Sequence, residues 1–139
     1  MEGRDFLELA KRMHISYYDE ASARTIVSRS YYASFHQVKD FLSNNKINLL
    51  KSTDVHKEVY NYLLKSGFKD AIKLANDLSD MRKHRNNADY QLHFSKFIYN
   101  KDNCGLFYKK AEDFFKDFDN LNKVELLKGI YEFRRKSNN

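Results

Sequence analysis

Two short polar stretches contain the side chains of this chain that are best suited to chemistry. They read SRSYYASFH at positions 28–36 and MRKHRNNADYQLH at positions 81–93. Each sets arginine beside tyrosine and histidine, and the second adds two adjacent asparagines and a carboxylate. Guanidinium groups bind phosphate, and imidazoles move protons near neutral pH. The two stretches therefore suggest either anion binding or proton transfer on a phosphate-bearing substrate.

The first stretch has helical periodicity. At about 100° per residue, Arg29, Tyr32 and His36 share one face of a helix. Tyr31 and Phe35 share another face, which we expect to lie in the core. The alternative is a boundary stripe in which the arginine only extends its charged head to water.

The second stretch places Arg82, Arg85 and Asp89 on one helical face. Arg85 and Asp89 are spaced to pair across one turn, which by itself is compatible with an ordinary solvated ion pair. Asn86 is expected either to contact a phosphate or base edge or to bond to backbone. Tyr90 is expected either to stack on a base or to pack in the core.

The elements that must position these residues are predicted to be helices. The chain has no proline and only four glycines, and its apolar residues recur at helical spacing. Five helices are predicted, the third running from the STDVH segment to Gly67 and the others over 4–20, 22–43, 69–92 and 106–136. We find no alternating strand pattern, so the expectation is one all-helical domain over 1–139, without a sheet and with 134–139 frayed.

The charge balance favours anionic partners without requiring them. The 25 basic and 19 acidic residues give a net charge of +6, which suits nucleic acid or nucleotides but also serves solubility. The single cysteine, Cys104, fits a reducing compartment. No apolar run is long enough to span a membrane. We expect a soluble cytoplasmic protein without a membrane partner.

Three segments carry a family resemblance: SRSYYASFHQVKDFL, VHKEVYNYLL and LSDMRKHRNNADY, in that order. Together they resemble the HEPN superfamily of prokaryotic helical domains, in the branch that reads R-x-x-YYA-x-F on the second helix and R-x-x-ADY on the fourth. The resemblance covers roughly 5–120. It implies a helical bundle that often dimerises through its second and fourth helices. It also implies links to toxin–antitoxin and defence systems, to nucleotidyltransferase partners and to metal-independent RNA cleavage.

The sequence departs from the catalytic members of that family. They carry an arginine, a polar residue and a histidine within the next turn or two. Arg85 and Asn86 fit the start, but Asp89 and Tyr90 stand where the histidine is needed. His93 follows Arg85 by eight residues, which is about 12 Å of helix rise. A carboxylate beside an arginine holds its charge and makes a poor general base.

The remaining candidate for proton transfer is His36, acting with Arg85. We therefore expect a HEPN-like module that binds RNA, a nucleotide or a protein partner without cleaving RNA, in a toxin–antitoxin, phage-defence or mobile-element setting. One alternative is a metal-independent endoribonuclease with a rearranged Arg/His site, and another is a purely structural subunit of a complex. The resemblance also implies a homodimer with Arg82, Arg85 and Asp89 near the partner, and a possible nucleotidyltransferase partner. No metal or cofactor is expected.

Overall fold

The chain forms a bundle of helices in a computed structural model that describes residues 1–16, 19–93 and 97–137. Within these ranges there are six helices and no strand. They are α1 (Gly3–Ser16), α2 (Glu20–Asn44), α3 (Val55–Lys65), α4 (Lys69–Tyr90), α5 (Lys101–Asp119) and α6 (Lys123–Ser137). The predicted all-helical fold class is confirmed.

Helix α2 is the centre of the bundle. It packs against α1, α4 and α5, while α3 packs mainly on α4, and α6 packs mainly on α3. The apolar face predicted for α2 is buried, with Tyr31, Phe35 and Val38 each at most 2% exposed. The neighbouring face with Arg29 and Tyr32 is only partly buried. Helix α2 thus presents its polar stripe beside α4, and this arrangement positions the candidate site.

Capping side chains explain two differences from the predicted helix bounds. Periodicity predicts a first helix reaching residue 20, whereas α1 ends at Ser16 and Asp19 already caps α2, its carboxylate accepting from the Ser22 amide at 2.7 Å. Asn100 similarly caps α5 by accepting from the Asn103 amide at 2.9 Å. Residues 101–105, which precede the predicted last helix, therefore form the first turn of α5, because asparagine favours helix starts as well as turns.

The predicted last helix over 106–136 is two helices. It breaks after Asp119, where the Asn122 side chain accepts from the Glu125 amide at 3.1 Å and starts the next helix. The apolar seam continues through the break at Leu121, which is why periodicity alone does not reveal it. Residues 134–137, predicted to fray, complete α6, and 138–139 lie outside the described residues.

Two glycines permit close helix crossings. A Cβ atom at Gly3 would lie 2.7 Å from the carbonyl oxygen of Ala33, so α1 rests directly on the α2 backbone. A Cβ at Gly129 would lie 2.0 Å from the carbonyl oxygen of Ser66, which brings α6 against the end of α3. Both distances are far below any van der Waals contact, so a side chain at either position would force the helices apart.

Arg24 joins the start of α2 to the end of α4. Arg24 is only 9% exposed, and its guanidinium carbon lies 4.1 Å from the centroid of the Tyr99 ring. It donates to four carbonyl oxygens at the end of α4, those of Asn87 (3.4 Å), Ala88 (2.9 Å), Gln91 (3.1 Å) and Leu92 (3.0 Å). The last carbonyls of a helix have no partner within it and carry partial negative charge. Arg24 therefore satisfies them and fixes the end of α4 on α2.

Replacing Arg24 with Met should lower the free energy of unfolding by about 2–4 kcal/mol, because charge-assisted hydrogen bonds are lost and buried carbonyls are left unpaired. Urea denaturation followed by circular dichroism measures the change. Arg12→Met, at an exposed position on α1, is the matched control and should change stability by less than about 0.5 kcal/mol. Equal effects of the two substitutions would contradict the capping role.

Candidate functional site

The two polar stretches meet around the ring of Tyr32. The guanidinium carbon of Arg29 lies 5.2 Å from its centroid, and that of Arg85 lies 4.8 Å from it. The imidazole of His36 stacks on the same ring with centroids 6.1 Å apart. Tyr32 thus connects the arginine of α4 to the arginine and histidine of α2. The name Tyr32 cluster is used below for these residues and their neighbours on α2, α3 and α4. Its members are Arg29, Tyr31, Tyr32, Phe35, His36, His56, Arg82, Arg85, Asn86 and Asp89.

Arg85 is the most buried charged side chain of the Tyr32 cluster, with the residue 8% exposed. Its guanidinium donates to the hydroxyl of Tyr32 and to the side-chain oxygen of Asn86, both at 2.5 Å. Its Nε lies 3.7 Å from a carboxylate oxygen of Asp89, in an ion pair across one helical turn. Arg85 is therefore held in place by its own chain before any ligand arrives.

Asp89 is also engaged by both helices. Its carboxylate pairs with Arg85 and accepts a hydrogen bond from the hydroxyl of Ser28 on α2 at 3.1 Å. The Asp89 side chain is 30% exposed, so water screens part of its charge. In the structure, Arg85 and Asp89 of α4 therefore contact Tyr32 and Ser28 of α2.

Arg29 and Arg82 differ from Arg85 because no anion balances them. Within the described ranges, the Arg29 guanidinium makes no hydrogen bond or ion pair and lies over the rings of Phe6, at 5.5 Å, and Tyr32. Arg82 makes no side-chain hydrogen bond or ion pair to described residues, although its Nε is buried. Both arginines are half-buried. A partly desolvated guanidinium without a partner favours binding of an external anion.

His36 lies among aromatic rings and not in a hydrogen-bond network. It stacks on Phe6 with centroids 5.4 Å apart and an interplanar angle of 15°, and meets Phe35 edge-on at 5.2 Å. Burial lowers the pKa of His36 below its ordinary value, and the charge of Lys39 acts in the same direction. The imidazole is therefore neutral near pH 7 and offers a flat, partly exposed ring.

His56, on α3, belongs to the same cluster, although the sequence gives it no functional role. Its ring stacks on Phe35 with centroids 4.2 Å apart, and its Nδ1 lies 2.6 Å from the hydroxyl of Tyr31. Burial first, and then the charges of Arg82 and Arg85, lower the pKa of His56 to about 4. Helical spacing could have indicated that His56 faces the interior, since it shares a helical face with the buried Val59 and Leu63.

The other predicted residues occupy different settings. Asn86 is half-buried and serves as an acceptor for Arg85, whereas Tyr90 is 72% exposed at the end of α4 and does not lie in the core. Within the described ranges, no group of three histidine, cysteine or acidic side chains is arranged to hold a metal ion. No helix there is long and apolar enough to cross a membrane.

Open clefts of the described surface lie away from the Tyr32 cluster. One cavity of about 590 Å³ is formed between α3 and α6 and includes the Tyr62 and Phe133 rings. The cluster itself is an open surface of guanidinium and aromatic groups. Such a surface suits an extended ligand that lies across it better than a small molecule that must be enclosed.

A scan against family models matches the HEPN domain over residues 2–121. The chain belongs to the HEPN family. No curated protein and no solved structure matches the chain. The family match spans α1 to α5 and contains every member of the Tyr32 cluster, while α6 follows it.

In this HEPN domain, the position that resembles the catalytic histidine of the family is filled differently. Asp89 is held by Arg85 and Ser28, and Tyr90 is exposed. The histidines whose rings lie against Tyr32 come from α2 and α3, as His36 and His56. Arginines of α2 and α4 contact the same ring, as Arg29 and Arg85.

Replacing Arg85 with Ala should lower the free energy of unfolding by about 2–3 kcal/mol, because two hydrogen bonds are lost and Asp89 loses its partner. The partial exposure of Asp89 keeps the cost below that of a fully buried charge. Chemical denaturation measures it, with Arg135→Ala as the matched control on α6, where the guanidinium makes an exposed ion pair with Glu132. A change below 0.5 kcal/mol for Arg85→Ala, as expected for the control, would contradict the buried arrangement.

Stability should fall as the pH drops from about 6.5, the ordinary histidine value, to about 4, the pKa of folded His56. In that range the unfolded chain binds a proton at this residue and the folded chain does not, so protonation favours unfolding. Burial lowers the pKa values of His36 and His84 too, which adds to the same trend. An NMR titration of the imidazole resonances tests this directly. A midpoint near 6.5 for His56 would show that its ring is solvated.

Proposed function

We propose that this HEPN domain binds single-stranded RNA across the Tyr32 cluster and holds a backbone phosphate there without cleaving the strand. The observation that carries the proposal is the pair of half-buried guanidiniums, Arg29 and Arg82, that have no anionic partner within the described residues. A phosphate supplies the missing acceptors, and planar guanidinium groups match its geometry.

The aromatic groups of the cluster support a nucleic-acid ligand over an isolated anion. His36 and Tyr32 present stacked, half-buried rings directly beside Arg29. Single-stranded nucleic acids bind such surfaces by stacking bases on rings while cations contact the phosphates. The net charge of +6 adds general attraction.

Non-cleaving binding is favoured by the state of the polar groups. Asp89 pairs with Arg85 and accepts a hydrogen bond from Ser28, so its carboxylate is already engaged within the fold. The Nδ1 atom of His56 is occupied by Tyr31. A ribonuclease needs one group that takes the proton of the 2′-hydroxyl and another that protonates the leaving oxygen. Of the two histidines in the described Tyr32 cluster, His36 alone retains both ring nitrogens for such a role.

His36 is also the reason to test a second function. The lowered pKa of His36 keeps its imidazole neutral and able to accept a proton. The imidazole lies against the Tyr32 ring, which the guanidiniums of Arg29 and Arg85 also contact. A metal-independent endoribonuclease that uses His36 and Arg85 is the alternative.

A toxin–antitoxin or defence role, a nucleotidyltransferase partner and a homodimer with Arg82, Arg85 and Asp89 near the partner chain remain predictions. The exposed Tyr90 at the end of α4 is available to such an interface.

Fluorescence anisotropy with a labelled, mixed-sequence single-stranded RNA in EDTA tests the binding function. Arg29→Ala and Arg82→Ala should each weaken binding about 5- to 10-fold and reduce the salt dependence by roughly one counterion. Arg135→Ala removes the same charge at an exposed position on α6 and should change affinity less than about twofold. Equal losses of affinity in all three variants would show that only the net charge matters. If the wild-type protein does not bind RNA at tens of micromolar, the proposed RNA-binding function is excluded.

The integrity of the RNA in the same samples, followed on a denaturing gel, separates the two functions. We expect intact RNA with the wild-type protein. Cleavage in EDTA that disappears in both His36→Ala and Arg85→Ala would establish the ribonuclease instead. Cleavage that persists in both variants would identify a contaminating nuclease and leave the binding measurements to decide.

A further inference from the structure

His56 has one ring nitrogen inside the fold and one facing water. The inner nitrogen, Nδ1, lies 2.6 Å from the hydroxyl of Tyr31. The outer nitrogen, Nε2, makes no hydrogen bond to described residues and is not among their buried unpaired atoms. Since the residue is only half-buried, Nε2 lies at the surface beside the Tyr32 cluster.

The direction of the inner hydrogen bond decides what the outer nitrogen can do. Tyr31 is 1% exposed, and burial raises the pKa of its phenol, so the hydroxyl keeps its proton. Within the described residues, the only hydrogen-bond partner of that hydroxyl is Nδ1 of His56. A buried hydroxyl proton without an acceptor is costly. The phenol therefore donates to Nδ1, and the neutral ring carries its own proton on Nε2.

The surroundings of the outer N–H determine the kind of group that it can contact. The charges of Arg82 and Arg85 act on the His56 ring, as does that of Lys39. A hydrogen-bond donor in a positive electrostatic field binds best to an acceptor that has lone pairs and negative charge. The oxygens of a phosphate satisfy both conditions, and cations and neutral donors do not.

We propose that the Nε2–H group of His56 donates a hydrogen bond to a phosphate oxygen of the bound RNA, so that α3 supplies a third contact element beside α2 and α4. This inference rests on the proposed RNA binding. It assigns His56 a binding role and no proton-transfer role, because Nε2 already carries a proton. Tyr31 becomes a positioning residue, which acts only by fixing the tautomer of His56.

NMR of the ¹⁵N-labelled free protein tests the hydrogen-bond pattern without any ligand. Long-range ¹H–¹⁵N correlation distinguishes a protonated from an unprotonated ring nitrogen in each histidine. At pH 7 we expect His56 as the Nε2–H tautomer, and a mixture of tautomers in Tyr31→Phe. The Nδ1–H tautomer, or an unchanged spectrum in Tyr31→Phe, would overturn the assignment.

RNA binding of His56 variants tests the contact itself. His56→Leu should weaken binding about tenfold, the expected effect of losing one hydrogen bond to a charged group. His56→Gln, whose amide N–H can reach a similar point, should recover part of that loss. His84→Leu is the matched control, since His84 is a half-buried histidine that packs against Phe107 with ring centroids 4.6 Å apart. It should leave RNA affinity unchanged, and circular dichroism checks that each variant is folded.

The combined outcomes separate this inference from the proposed function. If Arg82→Ala weakens RNA binding and His56→Leu does not, RNA binding stands and the role of His56 is wrong. If neither the wild type nor any variant binds RNA, both proposals fall. A single-stranded DNA of the same sequence adds one further comparison. The loss in His56→Leu should be the same for both strands, and a loss confined to RNA would show that the 2′-hydroxyl, not the phosphate, is the partner.

Discussion

The hydrogen bonds from Arg24 to the last carbonyls of α4 are the constraint on which the candidate site depends. They fix the end of the helix that carries Arg82, Arg85 and Asp89, and they do so from the first turns of α2, which carries Arg29 and His36 further along. The polar side chains of the two helices face each other because one buried arginine sets the axial position of one helix on the other. A helix end without such a partner would fray.

Arg24 fixes the helix backbones, and Tyr32 fixes the side chains that lie between them. Its hydroxyl accepts from Arg85, and its ring lies beside Arg29 and His36. The aromatic rings around it reduce access of water to the arginines, so an anion that arrives meets guanidiniums that are less well hydrated than those on an open surface. Charge, shape and partial burial are thus combined in one open surface.

The sequence predicts the part of this arrangement that depends on helical periodicity. The shared face of Arg29, Tyr32 and His36, the buried face with Tyr31, and the pairing of Arg85 with Asp89 are all local patterns that survive in the structure. The break between α5 and α6 was missed because the apolar seam runs through it and asparagines signal both turns and caps.

Long-range contacts were beyond local patterns. His56 joins the site because α3 packs on α4, and Arg24 is buried because α4 ends beside it, and neither fact follows from spacing within one segment. The crossing at Gly129 has a mechanical consequence of the same kind. Helix α6 follows the family-matched residues and rests on the end of α3 opposite to the turn that carries His56. Because the two backbones touch there without an intervening side chain, no side-chain rotation can absorb a shift of α6 against the end of α3.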